Sequence, residues 1–130
     1  VNKRFPTAQV KQKAHLALFQ TLWASCAQIM DYAVATGGAT VAIEWTSQCE
    51  YWKLPMIREF LTKHQLELSF FGGCMYGLVG HQGVPLLKPW CVATNTCHVR
   101  EALNIRCKGG HAHDRTSGVD AKTSEGYTEY

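Results

Sequence analysis

The stretch that decides the fold is Leu86 to Thr94, LLKPWCVAT, an extended β-branched and aromatic run interrupted by Pro89. Proline cannot donate to a strand ladder, so the run is expected at a sheet edge or around a bulge. It follows a segment punctuated by Gly72-Gly73, Gly77, Gly80 and Gly83, and so reads as a hairpin that closes a sheet antiparallel. The sheet it closes is written upstream. Ala39 to Trp45, ATVAIEW, is a continuous apolar run that suits a buried, two-sided parallel strand, and Leu66 to Phe71, LELSFF, is a second strand. Between them, after the loop TSQCEYWK, LPMIREFLTKHQ sets Met56, Ile57, Phe60 and Leu61 on one helical face, with Pro55 in its first turn. Before them, from about Thr7 to Thr36, Leu16, Phe19, Leu22, Trp23, Cys26, Ile29, Met30 and Ala33 recur at helical spacing, and Gly37-Gly38 offers a left-handed stop.

Helix, strand, helix, strand with short links predicts an α/β fold: a three-layer, Rossmann-like half-domain with a long amphipathic helix and a short, mainly parallel sheet closed by the antiparallel hairpin. Thr94 to Asn104 is expected to hold a short helix capped by Asn95 or Thr96. The expected organisation is one domain over residues 1–113 and a polar C-terminal tail over 114–130.

Composition limits the function classes. Of the 130 residues 46% are hydrophobic and 18% charged, an ordinary globular balance, and no apolar run approaches the roughly 18 to 20 residues of a membrane span. The net charge of +3 permits contact with nucleic acid without demanding it. The opening VNKRFPTAQVKQ has no apolar signal core and no initiator Met, as expected of a segment of a longer protein. Six cysteines without a secretory signal point to a reduced, intracellular setting. Cys26, on the apolar stripe of the long helix, reads as a small buried hydrophobe.

Chemistry concentrates in Arg106 to His113, RCKGGHAH. His111 and His113 are two apart, and Cys107 can fold back across Gly109-Gly110, so three borderline-soft ligands share one loop. That set suits zinc, which takes four ligands in a tetrahedron. Cys74, after the second strand, is the first choice for the fourth, with Cys97 or His98 next. A solvated polar loop is the alternative, and the C-x3-H-x-H spacing favours zinc over it. Glu44 is the candidate acid, at the end of a predicted strand where α/β folds place ligands. The plainer role for Glu44 is an acid paired with Lys88 or Arg100. Trp45, Tyr51 and Trp52 nearby could stack a base, though core packing is the commoner role of such rings. Lys88 and Asn95 complete a candidate catalytic set with Glu44, although a solvated lysine is the default at such a position. No phosphate-binding glycine loop, catalytic Ser/His/Asp order or H-E-x-x-H occurs.

VAIEW, GGCMYGL, LKPWCVATN and CKGGHAH, in that order over Val41 to His113, resemble a domain of mobile-element polyproteins in dinoflagellates and other protists. The resemblance implies a transposon or retrotransposon origin, nucleic-acid-related work, and a layout like the C-terminal half of a Rossmann-like DNA cytosine methyltransferase. By that analogy Glu44 would hold a base and Leu86 to Thr94 would be the closing strand. Thr46, Gly73, Cys91, Lys108 and Ala112 depart from the family pattern, while Cys74, Cys107, His111 and His113 keep it. The expected function is therefore a zinc-stabilised module derived from a mobile-element protein, without independent catalysis, working beside other segments or subunits of a larger protein and possible nucleic acid. The alternatives are a structural or interaction subunit, and a methyltransferase-like or hydrolytic enzyme fragment using Glu44.

Overall fold

The computed structural model describes residues 6–124, and the chain forms two compact units that divide after Ala39. The first unit is one helix, α1 (Pro6–Gly37). It stops where the sequence places its glycines: Gly38 is left-handed at φ +59° and its N–H donates to the Val34 carbonyl at 3.1 Å. Trp23 stacks on Phe19 with ring centroids 6.1 Å apart. The apolar surface is wider than one stripe, because Leu18, Leu22, Ile29 and Tyr32 are all exposed. Cys26 is exposed as well, which corrects its reading as a buried hydrophobe. Among the described residues no helix is long and apolar enough to cross a membrane.

The second unit is built on three strands, β1 (Ala42–Thr46), β2 (Glu67–Gly72) and β3 (Pro89–Thr94), in the order β1-β3-β2. Both ladders are antiparallel, with Glu44 and Ser69 each opposite Val92 and Trp45 and Phe70 each opposite Cys91. The expected mainly parallel, Rossmann-like sheet is therefore wrong. β1 and β2 do run in the same sense, but they never pair, because the strand expected to close the edge inserts between them. Pro89 does not prevent this. It is the first residue of β3, where its missing N–H interrupts nothing, and its carbonyl accepts the Ser47 N–H at 3.0 Å. Cys91, Val92, Ala93 and Thr94 are all buried, as a central strand requires.

The connection from β1 to β2 runs through a single 3-10 turn at Glu50–Lys53 and α2 (Pro55–Lys63). Ile57 and Phe60 on α2 are buried, and Gln65, left-handed at φ 54°, turns the chain into β2. A short helix α3 (Cys97–Ala102) follows β3. Its N-cap position is Thr96, but no side chain caps it. Asn95 instead uses its side-chain oxygen to accept the Val41 N–H at 3.0 Å, tying the end of β3 to the start of β1. Ser69 on β2 donates its hydroxyl to the Arg100 carbonyl at 2.7 Å, and Arg100 pairs with Glu67.

Residues 114–124 dock on the β2–β3 connection. Asp114 forms a bridge to the fully buried Leu86, and α4 (Val119–Thr123) carries Asp120 into the turn at Gly80. The Asp120 carboxylate accepts the His81 backbone N–H at 2.7 Å and lies 2.9 Å from His81 Nδ1. A Cβ at Gly80 would meet that carboxylate at 3.2 Å, so a larger residue there would push the carboxylate back by a few tenths of an ångström. The His81 N–H, more than the neighbouring imidazole, holds the Asp120 carboxyl below its usual range. The folded pKa is depressed, so the clasp stabilises the fold above the ordinary carboxylate pKa and is lost as pH falls through the lowered value.

Two outcomes follow. Acidification below the ordinary Asp range is expected to raise amide hydrogen exchange at His81 before the Val92 amide in β3 responds, and simultaneous exposure of both would contradict a local clasp. Leu86→Ala, which empties a fully buried site, is expected to cost about 2–5 kcal/mol in urea-induced unfolding.

Candidate metal centre

Two backbone turns bring the candidate ligands together. β2 ends at Gly72 and enters a 3-10 turn, Gly73–Tyr76, which carries Cys74 and is closed by left-handed Gly77 at φ 73°. Its start is fixed to the chain before β3, since Gly73 N–H donates to the Leu87 carbonyl at 2.7 Å. The second segment lies alongside: Gly72 N–H donates to the Ile105 carbonyl at 3.3 Å, two residues before Cys107. A Cβ built at Gly72 would lie 3.4 Å from the Cys107 Cβ, so this approach is close. Past Cys107 the loop reverses through Gly109 and Gly110, both left-handed at φ 82° and 89°, a conformation that L side chains resist. It is held again at Asp114, whose N–H donates to the Pro85 carbonyl at 3.0 Å.

Between those anchors, Cys107 Sγ lies 3.8 Å from His111 Nε2 and 3.4 Å from His113 Nε2, and it accepts the Gly109 N–H at 3.4 Å. The two imidazoles meet edge to face with centroids 4.4 Å apart. Cys74 completes the group, and one ligand atom from each of Cys74, Cys107, His111 and His113 lies within 4.8 Å of the other three. A tetrahedron built on zinc bond lengths of about 2.0–2.3 Å has edges of roughly 3.3–3.8 Å. The four donors are therefore compatible with zinc after a contraction of at most about 1.5 Å. Burial, followed by the hydrogen bond and charge of Cys107, raises the Cys74 pKa. Cys97 and His98, the other candidate ligands, are exposed on α3 and lie outside this set.

The proposed catalytic residues are not brought together. Glu44 sits mid-strand on β1 opposite Val92. Lys88 precedes β3, left-handed at φ 24°, with its ammonium 4.5 Å from the Trp90 ring and hydrogen-bonded to the Ser124 carbonyl and hydroxyl. Asn95 is past the far end of β3, joined to Val41. Lys88 and Asn95 are separated by the length of a strand, roughly 20 Å at the usual rise per residue. A cleft at the Gly72–Pro89 end of the sheet is lined by Ser47, Phe70, Leu87, Arg106 and Cys107 among others, and by none of these three. Trp45 packs edge-on against both Tyr51 and Trp52, with centroids 5.6 and 4.6 Å away. Buried Cys91 has its thiol pushed up to about 11 by desolvation, against a smaller opposing effect of Arg106.

Sequence reasoning missed the His81–Asp120 clasp and the Lys88–Ser124 contact. Asp120 and Ser124 lie in a stretch whose polarity reads as solvated, and no local motif links them to residues some forty positions earlier.

Comparison of the chain with protein-family models, curated proteins and solved structures returns no match. The candidate site therefore stands on its own geometry.

Asn95→Ala removes the acceptor of the Val41 N–H, so a loss of about 1 kcal/mol in urea unfolding is expected. Unchanged stability would detach Asn95 from this architectural role.

Proposed function

We propose that this chain is a zinc-stapled structural module of a larger protein or assembly, with no catalysis of its own. The convergence of Cys74, Cys107, His111 and His113 carries the reading. Four protein ligands fill the tetrahedral positions that zinc offers, whereas catalytic zinc keeps one open for water or substrate. Zinc here would supply a cross-link, joining the turn after β2 to the loop that follows α3. The dispersed positions of Glu44, Lys88 and Asn95 support a role without catalysis. The ordered motifs over Val41 to His113 support an origin in a mobile-element protein and a nucleic-acid-related setting.

The surface of α1 supports work beside other segments or subunits. Residues 14–30 contain no Asp, Glu, Lys or Arg, and Leu18, Leu22 and Ile29 within that stretch are exposed. A long uncharged helix face is costly to leave in water and is the kind of surface that partners cover. Replacing Leu22 and Ile29 together by Glu is expected to raise the solubility of the isolated chain without lowering its Tm.

The zinc reading is tested by elemental analysis of the purified chain, with one zinc per chain expected and less than a tenth of that in Cys107→Ser. Removing the metal with a strong chelator is expected to lower Tm by at least about 8 °C, the shift produced by roughly 2 kcal/mol in a domain of this size. Absence of stoichiometric metal from the wild-type chain, or full retention of metal by Cys107→Ser, would overturn it.

A further inference from the structure

We propose that the metal loop and the adjoining cleft form a binding surface for single-stranded nucleic acid, with phosphates on Arg106 and Lys108 and a base against the cleft floor. This deepens the reading above, because it places the nucleic-acid contact on the same loop whose shape zinc would fix.

Three observations carry it. The first is charge. Between residues 105 and 116 the loop presents Arg106, Lys108 and Arg115, all exposed, against one acid, Asp114. Asp114 is half-buried, bridged to Leu86, and its carboxylate accepts the Arg115 N–H at 2.8 Å. Two cysteine thiolates around a zinc ion would cancel its charge, so the excess of cations would persist in the loaded loop.

The second is the cleft. Its walls come from Ser47, Phe70, Leu87, Pro89 and Arg106, and none of its lining residues carries a carboxylate. The Arg106 guanidinium lies over the Phe70 ring at 4.7 Å, so one residue supplies both a positive charge and a flat stacking plane in a recess whose lining holds no acid. That pairing of a stacking plane with a cation is how unpaired bases and their phosphates are held without reading sequence.

The third is access. A Cβ built at Gly109 or Gly110 would meet no other atom within 4 Å, so the loop apex is open and bare of side chains beyond Lys108. A sugar-phosphate chain can therefore pass close to the backbone between Lys108 and the cleft. A duplex, with its bases stacked inside, could use the cations but not the recess.

The test is fluorescence anisotropy of a labelled ten-nucleotide oligo-dT with the full chain at 50 mM salt, with zinc content measured on the same samples. The expected result is saturable binding in the micromolar range, weaker binding of a duplex of equal length, and a negative salt dependence. The double substitution Arg106→Ala with Lys108→Ala is expected to weaken binding at least tenfold and to flatten the log–log salt slope by about 1.4, near 0.7 per lost phosphate contact on a single strand. Phe70→Leu is expected to weaken binding at least fivefold with the slope unchanged. Zinc content should stay at the wild-type value in both variants, which separates this inference from the zinc reading. No saturable binding by the zinc-loaded wild-type chain, wild-type affinity in the double variant, a preference for duplex, or equal competition by a ten-residue polyglutamate would each overturn the proposal. Saturable binding by a wild-type chain whose measured zinc content is below stoichiometry would sustain this inference, and the missing zinc would overturn only the zinc reading.

Discussion

Hydrogen bonding on both edges of β3 is the constraint from which the rest of the second unit follows. A strand with partners on both sides has its backbone N–H and C=O groups satisfied in either direction, and it can be buried without orphaned donors. Cys91 to Thr94 are buried in this way. The register on β2 then sets where Gly72 falls, opposite Pro89, and so where the chain leaves the sheet into the turn that carries Cys74. The register on β1 sets the other end, where Ala42 faces Thr94 and Asn95 can reach the Val41 N–H. The candidate metal group thus lies at one end of the central strand and the Asn95 tie at the other.

Glycine lets the backbone come close where the ligands meet. Gly72 lies where a Cβ would just touch the Cys107 Cβ, Gly109 and Gly110 take left-handed turns, and Gly80 leaves space for the Asp120 carboxylate. Each position trades chain entropy for approach, and two of these approaches hold the segment after α3 against the β2–β3 connection. The Lys88 bond to the Ser124 carbonyl adds a cation at the last turn of α4, where unsatisfied carbonyls accumulate.

How much of this the sequence carried depends on how local the signal was. α1 was legible because thirty residues of helical spacing end at a glycine pair, and α2 because Pro55 precedes Ile57 and Phe60 on one face. The four side chains that meet at the candidate metal group were legible because three share one short loop and the fourth follows a strand at a glycine turn. Strand direction was not legible. ATVAIEW and LELSFF state that they are strands without stating which neighbour they pair with, and an apolar run fits a parallel sheet as well as the flank of an antiparallel one. Pro89 misdirected the reading because its effect depends on its place within the strand: at the first position it costs no ladder bond. Cys26 and Asp120 erred in opposite directions, one apolar in type yet exposed, the other charged yet buried through contacts made far along the chain.

The order of the ligands along the chain bears on how the protein is made. Cys74 leaves the ribosome well before His113, and β3, which must pair with both earlier strands, emerges between them. During synthesis Cys74 therefore waits for its partners until the sheet has closed and the later loop arrives. β1 and β2 wait likewise, since neither has a partner until residues 89–94 appear. The nascent chain passes through a stage with two unpaired strands and an incomplete ligand set; residues 89–94 end the first condition, and the loop that carries Cys107, His111 and His113 ends the second.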